Sequence, residues 1–204
     1  MIWSQRISVL IINMKIELLY SNKGNILQGP LLLRPSIFKD QRGYFLESWN
    51  QKVFNKSIGA KVSFVQDNHS SSKKGVVRGM HFQIPPYQQS KLVRCLSGSI
   101  FDVIVDIRKT SKTFGEWYGI QLKAVDYYQL WVPFGFAHGF LSLIQDSVVL
   151  YKVDQFRSQN HERILNWKDE LIGIKWPHID QSYSLSEKDK NAPSLSEINQ
   201  DDLF

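Results

Sequence analysis

Between Gln28 and Val153 apolar residues recur at every second position in short runs, and glycine, proline, asparagine or aspartate separates one run from the next. Alternation of period two gives an extended strand one apolar and one polar face, so the pattern predicts an all-β sandwich or barrel. In "YGIQLKAV" the set Tyr118, Ile120, Leu122 and Ala124 alternates with Gly119, Gln121 and Lys123, which predicts one buried face. In "SIFDVIVDIR" Phe101, Val103, Val105 and Ile107 share one face, while Asp102 and Asp106 share the other with Ile100 and Ile104. Two carboxylates on an otherwise apolar face predict a wall that is only partly dry. "LSGS" (96–99) and "VPFG" (132–135) read as turns between strands, and no long helical period interrupts the series.

After Val153 the alternation stops. "DQFRSQNHERILNWKDELIGIKWP" is polar, irregular and aromatic, and "SLSEKDKNAPSLSEI" reads as a short helical tail. This region predicts a cover over one end of the β core, too short to form a second domain. At the other terminus, residues 1–13 read as an extension of no assigned role, with Met14 as an alternative start, and 14–204 as one domain. The apolar run Val9–Ile12 is far below the roughly 20 residues a spanning helix needs, and the features of a signal peptide are missing.

Composition narrows the class. A chain of 204 residues with 43% apolar and 22% charged positions has enough to bury one core and too much to remain disordered. Cys95 is the one cysteine, which excludes an internal disulfide and a thiolate metal cluster and suits a reducing cytoplasmic setting. The formal charge of +6 suits an anionic partner. Basic residues are interspersed with acids rather than run together, so the pattern favours neither nucleic acid nor a membrane surface.

Two segments carry candidate chemistry: "RGMHFQIPPYQQSK" (78–91) and "VPFGFAHGF" (132–140). The spacing of Pro133, Gly135 and His138 resembles that by which a cupin-type double-stranded β-helix turns a strand and aims a histidine into its barrel. A metal-binding cupin also needs a histidine pair and a glutamate, since a divalent ion wants three or four ligands. Here His81 and Gln83 occupy the place of the pair, and a lysine, Lys91, stands where the carboxylate belongs. An ammonium repels a cation, so the expectation is a pocket without metal. Taken singly, each residue has a plainer reading. His81 reads as a buried histidine satisfied by a neighbour, Lys91 as a surface lysine lying along its stem, and Tyr151 as a strand aromatic. Asp189, three after Ser186, has the spacing of a helix cap.

Eight segments in order, "FKDQRGYFLESWN" (38–50), "FVQDNHS" (64–70), "RGMHFQ" with Lys91, "VPFGFAHGF", "LYK" (150–152), "NHER" (160–163), "IKWP" (174–177) and "LSEKDKNAP" (185–193), resemble the dTDP-4-dehydrorhamnose 3,5-epimerase family. The resemblance spans residues 28–193. It implies a cupin-type jelly roll and inversion of carbons 3 and 5 of a dTDP-linked 4-keto-6-deoxy-hexose on the way to dTDP-L-rhamnose, with neither metal nor organic cofactor. By the same resemblance His81 is the base, Asp189 its carboxylate partner, Tyr151 the proton donor on the opposite face, and Lys91 the positive charge at the enolate oxygen. His138 is either a partner to another site residue or an enolate hydrogen-bond donor. Substrate contacts map onto Phe38, Arg42, Phe45, Glu47, Gln66, Asn68, Arg78 and Glu162, and the first four reach a neighbouring subunit's site, which implies a homodimer.

The chain departs from the family after "LYK". There "VDQFRSQN" stands in place of a threonine and aspartate followed by two tyrosines, and Arg157 replaces the second tyrosine. The alternatives are a 3-epimerase or keto-isomerase on the same fold, a sugar-nucleotide-binding cupin without catalysis, and a metal-dependent cupin oxygenase, the last opposed by Gln83 and Lys91.

Overall fold

A computed structural model describes residues 14–204, so the expectations for residues 1–13 lie outside the described residues. The strands are β1 (Lys15–Tyr20), β2 (Ile26–Arg34), β3 (Ile37–Asp40), β4 (Gly43–Leu46), β5 (Gln66–Ser72), β6 (Val77–Gln83) and β7 (Lys91–Ser97). They continue with β8 (Ser99–Asp106), β9 (Trp117–Lys123), β10 (Gln129–Val132), β11 (Phe136–Ser142), β12 (Ser147–Val153) and β13 (Glu162–Ile164). Two helices, α1 (Gln51–Ile58) and α2 (Glu187–Lys190), complete the main elements.

One antiparallel sheet has the order β1-β2-β10-β7-β12-β5 and the other β13-β6-β11-β8-β9, while β3 and β4 form a separate hairpin. The two large sheets face each other as the sandwich that the alternation predicts, in the jelly-roll form that the resemblance implies. Leu32, Val93, Leu130 and Val149 of the first sheet meet Ile100, Ile104, Leu122 and Phe140 of the second in the core between them. The predicted set on β9 lies against this core.

Part of the second face of each sheet is buried as well. Phe101, Val103 and Val105 point away from the interior and pack with Met80, Phe82, Leu165, Ile198 and Leu203. The segment after Val153 therefore covers the outer face of the five-stranded sheet, not one end of the barrel as the sequence suggests. Apolar residues on the outer face of strands β6 and β8 require that cover. Within it, helix is confined to the four residues of α2 and single turns at 159–161 and 200–202, shorter than the tail read from the sequence.

Helix α1 is a second difference. It caps the outer face of the six-stranded sheet, with Phe54 buried among Leu33, Leu92 and Trp131. Asn50 accepts from the Val53 N–H at its start, and Gly59 ends it at φ 68°. Both are helix signals by type, but two turns give too few apolar positions to stand out against the alternation around them. Among the described residues no helix is long and apolar enough to cross a membrane.

Candidate active site

Facing strands of the two sheets aim polar side chains into one end of the interior. Inward positions follow period two on β7, where Lys91 shares a face with Val93 and Cys95, and on β12, where Tyr151 shares one with Val149. On β6 period two fails. Arg78 pairs with Phe140 and His81 with His138, three residues against two, so a bulge lies between them. The extra residue turns both Arg78 and His81 inward while Val77, Met80 and Phe82 keep the outer face. Gly79 and Gly139 make this crossing possible: Gly79 has φ 136°, and a Cβ on it would lie 2.4 Å from Gly139 Cα.

A cavity of about 150 Å³ results, lined by Ser70, Arg78, His81, Lys91, His138 and Tyr151. It continues into a second space of about 100 Å³ that shares His81, Lys91 and Tyr151 and adds Gln66, Asn68, Arg157 and Glu162. A roomier surface cleft of about 500 Å³ lies around Arg108 and Thr110. There Arg108 is tied to Asp106 and the Gln28 carbonyl, and no imidazole or phenol is present.

His81 Nε2 lies 2.6 Å from Asp189 Oδ1. Burial works to raise the nearly buried carboxylate, but its hydrogen bonds with His81 and Ser186 and the charge of Lys188 hold it below its usual range. It is therefore ionised, and Nε2–H donates to it, which leaves Nδ1 with a free lone pair. Burial pushes the imidazole below its ordinary value, against the pull of Asp189, so the ring is neutral at pH 7. Across the cavity, burial raises the Tyr151 phenol, which keeps its proton at neutral pH. Lys91 is buried; desolvation brings its ammonium down to about 8, with Asp102 and Glu162 pulling the other way. Its Nζ donates to the His81 carbonyl at 3.1 Å.

His138 is nearly buried and bonds through Nε2 to Asp102 Oδ1 at 2.8 Å. His138 also lines the cavity together with His81 and Tyr151. Asp102 was legible only as part of a polar wall. Its position between Ile100 and Ile104 on an inward face was the available signal, because a buried carboxylate needs a partner. Gln83, Gln89 and Arg157 are further residues at the site that were not singled out as contacts. Among the described residues no three His, Cys, Asp or Glu side chains cluster as a metal group.

The hairpin residues stand elsewhere. Phe38 pairs with Phe45 across β3 and β4, Phe45 is exposed, and Arg42 is tied to Asp40 rather than to any cavity residue. Phe38, Arg42, Phe45 and Glu47 line neither part of the cavity. Glu162 does, and it binds Arg157 and Lys188 at 2.7 Å and 3.0 Å, which lowers its carboxyl to about 2.

A carboxylate-oriented imidazole on one sheet, a phenol on the other and a buried ammonium beside them form an acid–base site, able to take a proton from one side of a bound molecule and return one from the other. The model of the family described as dTDP-4-dehydrorhamnose 3,5-epimerase matches residues 25–197, and the chain belongs to that family. It is 53% identical over 161 residues to dTDP-4-dehydrorhamnose 3,5-epimerase of Shigella flexneri, covering 79% of this chain and 88% of the relative. It also resembles the structure of dTDP-6-deoxy-D-glucose-3,5-epimerase from Legionella pneumophila Philadelphia 1 in complex with dTDP-4-keto-L-rhamnose. That match has a TM-score of 0.85 at 36% identity, over 93% of this chain and 97% of the other. A 3'-monoepimerase from Streptomyces bikiniensis, solved with dTDP-quinovose, matches at a TM-score of 0.78 and 32% identity, over 82% and 84% of the two chains.

Proposed function

We propose that the protein inverts carbons 3 and 5 of dTDP-4-dehydro-6-deoxy-glucose to give dTDP-4-dehydro-L-rhamnose, in dTDP-L-rhamnose biosynthesis. The observation that carries this reading is His81, oriented by Asp189, facing Tyr151 across one cavity from the opposite sheet. Carbons 3 and 5 flank the ketone at carbon 4. Loss of a proton from either leaves an enolate whose charge rests on the ketone oxygen. His81 Nδ1 takes the proton; Asp189 holds the tautomer and stabilises the imidazolium, as a carboxylate does for the histidine of a hydrolase triad. Lys91, mostly protonated at pH 7, meets the charge on the enolate oxygen in a desolvated setting, where such an interaction is strongest. Tyr151 then protonates the same carbon from the other side, which inverts it.

Arg78, Gln66 and Asn68 border the cavity and hold the rest of the nucleotide sugar. Arg78 offers a planar fork suited to two phosphate oxygens. In this reading Phe38, Arg42, Phe45 and Glu47, which line no part of their own cavity, serve the site of a second copy in a cytoplasmic homodimer. A monomer by light scattering at working concentration removes that part alone.

Incubation in heavy water with dTDP-4-keto-6-deoxy-glucose tests the reaction by proton NMR. Deuterium at both carbons 3 and 5 is expected, and His81→Ala should lower exchange by a factor of about 10² to 10⁴. Label at carbon 3 alone makes the protein a mono-epimerase, a reading that the altered segment 154–160 and the likeness to a 3'-monoepimerase keep in view. No label with nucleotide still bound leaves a binding module.

A further inference from the structure

The segment that departs from the family, after β12, is fastened over the cavity by side chains beneath it. The Gln83 amide donates to the Phe156 carbonyl at 3.2 Å and its oxygen accepts the Ser158 N–H at 2.7 Å, so both neighbours of Arg157 are held by one residue. Gln89 donates to the Gln155 carbonyl at 2.6 Å, and Asp154 accepts the Ser90 N–H at 2.6 Å. The guanidinium between these anchors lines the cavity beside Tyr151 and forms a two-pronged pair with Glu162, Nε to Oε1 at 2.7 Å and a terminal nitrogen to Oε2 at 3.0 Å.

We propose that Arg157, held in place by Glu162 and the Gln83 clasp, is a positioning residue for the Tyr151 phenol, offsetting the charge left on the phenol oxygen when it gives up its proton. The inference rests on the acid–base reading of His81 and Tyr151. In the protonation step the O–H bond of Tyr151 breaks and a C–H bond forms from the electron pair of the enolate double bond, while the ketone is restored. The negative charge thus passes from the enolate oxygen, beside Lys91, to the phenol oxygen. A cation near the phenol favours that transfer; an unpaired carboxylate opposes it. Six charged or titratable groups share the lining of the cavity with the phenol: Arg78 and His81 on β6, Lys91 on β7, His138 on β11, Glu162 on β13, and Arg157 itself. The phenol's acidity responds to three of them, promoted by Arg78 and Arg157 and resisted by Glu162. Arg157 acts twice, by its own charge and by sharing with Lys188 the neutralisation of Glu162.

The test follows the Tyr151 resonance by NMR in protein labelled at the tyrosine phenol carbon, assigned by its loss in Tyr151→Phe, alongside deuterium uptake at carbon 5. In Arg157→Gln the phenol should titrate at higher pH. Uptake should fall about threefold, the scale of a largely solvent-screened charge, since the Arg157 side chain is 62% exposed. Arg157→Lys, which keeps the charge, should retain most of both. The double variant Arg157→Gln with Glu162→Gln should recover part of what the single variant loses, because it removes the carboxylate as well. An unmoved phenol titration in Arg157→Gln, or a double variant worse than the single one, overturns the proposal. Absence of exchange in the unaltered protein overturns the acid–base reading instead, while the phenol titration still reports on Arg157.

Discussion

Asp189 serves two neighbours with different atoms. Its backbone N–H donates to Ser186 Oγ at 3.2 Å, so the capping spacing in "SEKD" is realised, while its carboxylate orients His81. The local pattern gave the first role, and only the family resemblance gave the second, because the partner lies 108 residues away in the chain. The roles read for His81, Lys91 and Tyr151 came from the same resemblance, since taken singly they read as a buried histidine, a surface lysine and a strand aromatic. The His138–Asp102 pair was not legible, since nothing local ties two strands together. Replacement of Asp189 by asparagine keeps the shape and removes the charge. Turnover should fall by about 10² to 10⁴, with little change in Tm. Since Asp189 raises the proton affinity of His81, its loss lowers that affinity further. The base must be neutral to act, so the acidic limb of kcat/KM moves to lower pH; an unmoved limb would assign it to another group.

At the level of elements, strand alternation was readable almost throughout because each strand has distinct inward and outward partners. It broke at β6, where strict period two places Arg78 and His81 on opposite faces. A bulge depends on what the neighbouring strand allows, and here the allowance is the contact of Gly79 with Gly139. Gly79→Ala adds a methyl group where no space exists, at a positive φ that alanine rarely adopts. It should destabilise the fold by about 1–3 kcal/mol, lowering Tm by several degrees. Deuterium exchange should be reduced even well below Tm, because the two side chains no longer share a face. Full exchange in a folded Gly79→Ala protein would show that the bulge does not position the site. Helix α1 escaped the alternation for a different reason: its signals, Asn50 and Gly59, bracket only eight residues.

Over the whole molecule, a buried ammonium stands between two apolar sheets. The Lys91 value of about 8 lies below the ordinary 10.5, so the folded state binds fewer protons than the unfolded chain between those limits. Stability from this group accordingly rises with pH from about 8 to 10.5, and at neutral pH the buried charge costs about 3 kcal/mol. Lys91→Met should remove much of that cost and raise Tm by a few degrees while abolishing exchange. A lower Tm would mean that the bond to the His81 carbonyl outweighs the desolvation. The composition allowed one core, and the structure adds apolar layers outside both sheets, since strands covered on each side lose the simple contrast between a dry and a wet face.

The cover laid over the five-stranded sheet also delivers Asp189, the carboxylate bonded to His81. A ribosome must therefore release nearly the entire polypeptide before any molecule can turn over sugar. Clipping by a protease near that tail would remove Asp189 while leaving Gln66, Asn68 and Arg78 on the sheets.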